Sequence, residues 1–116
     1  MIVKRVSNLK YRTDFYNLIR HRQIQTAVEI GVEFGYNARD MLKHFPQLNK
    51  LYLVDPFDGS LTKKIFWKEG RIINKCRETI GPFSNRVIYV PKKSWEAYGD
   101  FEDASLDFIH IDGAHH

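Results

Sequence analysis

Four short apolar runs, separated by stretches with helical periodicity, constrain this chain more than any other feature. Thr26 to Ile30 ends at Gly31, Leu51 to Val54 at Asp55-Pro56, Val87 to Val90 at Pro91, and Leu106 to Ile111 runs into Asp112-Gly113. Runs this short and rich in Val, Ile and Leu fit strands covered on both faces. After the first run, Ala38, Met41, Leu42 and Phe45 recur at i, i+3, i+4 and i+7 until Pro46 stops them. After the second, Leu61, Ile65, Ile72, Ile73, Cys76 and Ile80 carry a helical pattern, broken at Gly70 and closed by Gly81-Pro82, as one kinked helix or two. Ser94 to Tyr98 reads as a helical turn. The alternation predicts an α/β fold, a Rossmann-like parallel sheet with flanking helices, in a single domain over residues 1–116. In such a sheet Gly31, Asp55, Pro91 and Asp112 share the carboxyl edge, where ligands collect.

Charge is uneven along the chain. Lys4, Arg5, Lys10, Arg12, Arg20 and Arg22 precede the first run, whereas residues 96–116 carry six carboxylates and no Lys or Arg. With Tyr11, Phe15, Leu18 and Ile19 at helical spacing and Thr13-Asp14 as a cap, residues 1–24 read as a basic amphipathic helix. Its dispersed charges favour a solvated helix face over a nucleic-acid footprint. No apolar run approaches the ~18 residues of a membrane span, and no secretory signal opens the chain, so the expectation is a cytoplasmic protein without membrane contact. Cys76 is the sole cysteine, which excludes an internal disulfide and a Cys-x-x-Cys zinc site.

The residues with chemical potential fall where the strands end. Glu29-Ile-Gly31-Val-Glu33-Phe-Gly35 places a carboxylate in the first strand and two glycines around the turn into a helix. Glycine admits positive φ and close approach of a ligand, and the helix start offers free N–H groups. The Gly-x-x-x-Gly spacing departs from the Gly-x-Gly-x-x-Gly of dinucleotide sites, which disfavours an NAD-dependent oxidoreductase. Asp55 ends the second strand, where a carboxylate can accept both hydroxyls of a ribose. At the end of the fourth, Asp112 is suited to a divalent cation and His115 to general-base work, while His110, inside the strand, reads as a packed, hydrogen-bonded core histidine. Phe57, Phe66 and Trp67 read as core residues before acceptor contacts.

Val28-Glu29-Ile30-Gly31, Val54-Asp55-Pro56 and Asp107 to Gly113, in this order, resemble the motifs of class I S-adenosylmethionine-dependent methyltransferases of the small-molecule O-methyltransferase group, over roughly residues 13–116. The resemblance implies that Glu29, Gly31 and Gly35 surround the methionine part of S-adenosylmethionine, that Asp55 holds its ribose, and that Ser94 and Trp95 lie near the adenine. It further implies a divalent cation such as Mg on Asp112, His115 as the base, and methyl transfer to a hydroxyl of a small molecule, a sugar among the candidates. The family's sheet has further strands, so the chain corresponds to the N-terminal portion of that domain, truncated after the fourth strand. That leaves the fourth strand as an apolar edge open to self-association. The competing reading is a non-catalytic Rossmann-like binding module whose basic arm contacts nucleic acid or another anionic partner.

Overall fold

The computed structural model describes residues 2–6, 16, 22–32, 34–57, 71–97, 99, 101 and 106–112. In chain order they form β1 (Ile2–Val6), β2 (Thr26–Ile30), α1 (Tyr36–His44), β3 (Lys50–Val54), α2 (Arg71–Ile80), a 3-10 helix (Gly81–Arg86), β4 (Val87–Val90), α3 (Ser94–Ala97) and β5 (Phe108–Asp112). The five strands make one sheet in the order β1-β5-β2-β3-β4, and every pairing is parallel. From β2 the chain steps outward through β3 to β4, then returns to the other side of β2 as β5. The strand order therefore reverses between β2 and β5, which marks the crevice where open α/β sheets bind ligands.

Both faces of the sheet are covered, as the apolar runs require. On one face Ala27, Leu51, Leu53 and Phe108 pack against Ala38, Met41, Leu42 and Phe45 of α1 and Ile72, Cys76 and Ile80 of α2. On the other, Val28, Val54 and Val90 pack with Ala97 of α3, flanked by Ile30, Tyr52 and Ile109. The helical positions inferred from the i, i+3, i+4, i+7 pattern are the buried ones. Pro46 ends α1 as expected. Gly81-Pro82, by contrast, does not end helical structure: Gly81 takes φ +50° and the chain tightens into the 3-10 helix up to Arg86.

Two expectations about the ends of the chain need correction. Residues 2–6 are a strand, so the basic opening segment is not helical throughout; Tyr16 is helical, and the rest of the span Thr13 to His21 lies outside the described residues. The sequence Ile-Val-Lys-Arg-Val suits an outer strand, where charges are tolerated. As a result, the predicted fourth strand is not an exposed edge. Phe108–Asp112 is β5, paired with β1 on one side and β2 on the other, and self-association through it loses its physical basis. The sheet has five strands instead of four.

Asp107 ties the amino edge together: its Oδ2 accepts the backbone N–H groups of Gln25 (2.9 Å) and Thr26 (3.1 Å), fixing β2 against the start of β5. Helix α1 is anchored at its far end by Arg86. The guanidinium donates to the carbonyl of Leu42 in the last turn (3.2 Å) and to those of Phe45 (2.8 Å) and Leu48 (2.6 Å) just past it, tying the helix end to the following loop. Partial burial lowers the Arg86 pKa, but an arginine starts high enough to stay charged.

Candidate functional site

The carboxyl edge is organised around one turn. After β2 the chain passes through Gly31 at φ +83° and Gly35 at φ +86°, and α1 begins at Tyr36. Both glycines occupy the left-handed region that side chains other than glycine avoid. Gly35 is also held by contact, because a Cβ there would lie 2.8 Å from the Cys76 Sγ on α2. Burial, with the negative charge of Glu29 as a second cause, pushes the Cys76 thiol up to about 12, so at neutral pH it is a small apolar group that seats the turn.

Asp55 connects this turn to the next one. Its Oδ2 accepts the N–H of Val32 at 2.9 Å and its Oδ1 the N–H of Phe57 at 2.7 Å. The first bond joins the β2–α1 turn to the end of β3. The second holds Phe57 at φ +59°, a strained backbone for a bulky residue, while its ring packs edge-on against Tyr89 at 5.9 Å. The Gly31 N–H adds a bond to the Val54 carbonyl at 3.0 Å. A carboxylate can accept about four hydrogen bonds, so the fixing of Asp55 by two amides is compatible with hydroxyl ligands as well.

Beneath the turn lies a buried polar network that the sequence did not reveal. Glu29 and His110 face each other in register on β2 and β5 and are 1% and 0% exposed. Asn37, in the first turn of α1, donates through Nδ2 to the Glu29 Oε2 at 2.6 Å and lies 3.1 Å from the His110 Nδ1; its Oδ1 accepts the Tyr16 hydroxyl at 2.6 Å. The Glu29 carboxylate and the His110 ring are 3.6 Å apart. An asparagine in a helix normally reads as a solvated residue, so no local signal marks Asn37; only its place after the glycine turn could have drawn attention to it. His110 is the packed, hydrogen-bonded core histidine expected.

The structure thus brings together Gly31, Gly35 and Asp55, sets Glu29 below them in the core, and places Ser94 at the start of α3 just beyond the end of β4. Trp95 is 70% exposed, with the Lys93 ammonium 5.1 Å above its ring, an open aromatic face on the same edge. Phe57 is a core residue, as expected; Phe66 and Trp67 lie outside the described residues. Asp112 ends β5 on the carboxyl edge, whereas the side chain of Asp112 and all of His115 lie outside the described residues. Among the described residues no group of three His, Cys, Asp or Glu side chains could hold a metal ion, and no helix is long and apolar enough to cross a membrane.

Comparison with known proteins bears on the family and the fold. Residues 28–116 match a family described as a methyltransferase domain. Among solved structures, the chain is similar to the O-methyltransferase TomG from Streptomyces achromogenes, involved in tomaymycin synthesis and solved in complex with SAM. The TM-score is 0.65 at 13% identity, over 93% of this chain and 45% of that one. The chain therefore spans less than half the length of that enzyme, and the likeness concerns the fold. A search of curated proteins gives no match.

Proposed function

The chain belongs to the methyltransferase-domain family, and on that premise we propose that its carboxyl edge binds S-adenosylmethionine as part of an enzyme that methylates a hydroxyl of a small molecule. The observation that carries the reading is the bond from the Val32 N–H to Asp55, which locks the turn of two positive-φ glycines after β2, beside the switch point, against the buried carboxylate that follows β3. In this reading Gly31 and Gly35 let the cofactor's methionine part approach the backbone, and Asp55 accepts the ribose hydroxyls. Ser94 and Trp95 border the adenine, and Glu29 contributes from below. The bound cofactor supplies an electrophilic methyl on its sulfonium.

The chemistry on the acceptor is assigned to the end of β5. His115 takes the proton of the acceptor hydroxyl as the methyl passes from sulfur to oxygen, and Asp112 is the residue through which a divalent cation would be bound, which would lower the cost of forming the alkoxide. A sugar is one acceptor of the required class. The sole cysteine, buried as a thiol, accords with the cytoplasm as the compartment.

Calorimetric titration with S-adenosylhomocysteine tests the cofactor assignment. The chain binds it, and Asp55→Ala weakens binding by roughly 100-fold, the size of lost charge-assisted hydrogen bonds. Undiminished affinity in the variant would contradict the assignment. Transfer of labelled methyl to hydroxylated acceptors, measured with His115→Ala in the natural enzyme, tests the base: turnover unchanged by the substitution would remove it.

A further inference from the structure

We propose that Asn37 is a positioning residue for cofactor binding, acting through the buried network it centres. This rests on the reading of the carboxyl edge as a cofactor site. Asn37 stands two residues beyond Gly35, and its amide bonds three separate elements: β2 through Glu29, β5 through His110, and the helical Tyr16. These contacts straddle the point where the strand order reverses. They fix the first turn of α1 directly against the two strands that border the crevice, and so fix the glycine turn that precedes it.

The donor and acceptor roles in the network follow from chemistry. The end of Asn37 at 2.6 Å from Glu29 is its NH2 group, which donates to the carboxyl oxygen, and the Oδ1 end takes the Tyr16 hydroxyl. The same NH2 group lies 3.1 Å from the His110 Nδ1, and the Glu29 Oε2 lies 3.6 Å from that nitrogen, so the ring is oriented by both neighbours at once. Besides Asn37, the groups facing the imidazole include the Glu29 carboxylate at 3.6 Å and the rings of Tyr16 and Phe108 at 6.4 and 6.5 Å between centroids. Each member therefore constrains the next. A network so arranged holds one geometry where a purely apolar contact would slide, since a buried amide with misplaced partners is costly.

Asn37→Asp keeps the shape and removes both donors, and pairing it with Glu29→Gln restores a donor opposite an acceptor. S-adenosylhomocysteine titration of the full chain should show about a tenfold weaker Kd for Asn37→Asp, and the double variant should lose clearly less than the product of the two single losses, the mark of two residues that act through one contact. Tyr16→Phe, which removes one hydroxyl and little volume, should weaken binding a few-fold and serves if Asn37→Asp fails to fold. Nitrogen-15 shifts of the His110 ring, independent of any cofactor, should move in Asn37→Asp, because the group facing Nδ1 changes from an amide NH2 to a carboxyl oxygen. Wild-type affinity in both single variants, or His110 ring shifts unchanged in Asn37→Asp, would overturn the positioning role while leaving the cofactor site standing. Failure of the wild-type chain to bind S-adenosylhomocysteine would overturn both.

Discussion

The two ends of α1 are held by opposite means. At its carboxyl end Arg86 reaches in from the 3-10 helix and covers the carbonyls of Leu42, Phe45 and Leu48, with its guanidinium 5.6 Å from the centre of the Phe83 ring. There the added donors fall on Leu42 in the last turn and on Phe45 and Leu48 just past it. At its amino end two glycines sit at positive φ, Phe57 takes a backbone that glycine would prefer, and a carboxylate, an imidazole and an amide are buried together. Strain and buried polarity of this kind destabilise unless something over-determines them, and they concentrate where a fold does chemistry. One end of the helix keeps the fold; the other, in the function proposed above, positions a ligand.

Gly35→Ala should break the amino end most severely. The added methyl meets Cys76 Sγ at 2.8 Å and its backbone carbonyl at 3.3 Å, and the residue must still adopt φ +86°. A loss of about 3 kcal/mol in urea denaturation is expected, from overpacking and the left-handed backbone together, with cofactor binding abolished. Arg86→Ala acts on the other end. It should cost roughly 2 kcal/mol, since hydrogen bonds from a charged donor are lost and helix carbonyls are left open. Affinity for S-adenosylhomocysteine should remain within about twofold of wild type, because coupling between well-separated sites is small. A large affinity loss in Arg86→Ala would erase the distinction between the two ends.

A milder perturbation comes from alkali. The Cys76 thiol is raised from 9.0 and the Tyr89 hydroxyl from 10.0, each to about 12, with burial as the leading cause in both. Between these values the unfolded chain has released protons that the folded chain still holds. Stability is therefore unaffected below about pH 9 and falls as pH rises towards about 12. Thermal melting across this range should show the decline, and Cys76→Ala should flatten it. A melting temperature constant up to pH 11 would show that the thiol is not sealed against the turn.

The periodicity carried most of the layers. Thr26 to Ile30 and Val87 to Val90 are strands with the inferred bounds, and Ala38, Met41, Leu42 and Phe45 form the buried side of α1, because apolar spacing reports burial directly. The strand Ile2–Val6 escaped the pattern: two charges in five residues obscure a strand whose partner, β5, is more than 100 residues away. The convergence of Gly31, Gly35 and Asp55 was legible because strand ends in a parallel sheet share an edge. Asn37 and Tyr16 were not, since partnership among buried polar groups depends on tertiary contacts such as the 2.6 Å bond between them, which no spacing encodes.

Amide chemical-shift mapping with S-adenosylhomocysteine tests the division of labour most directly, because both ends of α1 are read in one spectrum. The account predicts large shifts at Gly31, Val32, Gly35 and Phe57, with Leu48 and Arg86 unmoved. Shifts centred on Leu48 and Arg86, or none at the glycine turn under saturating ligand, would contradict it.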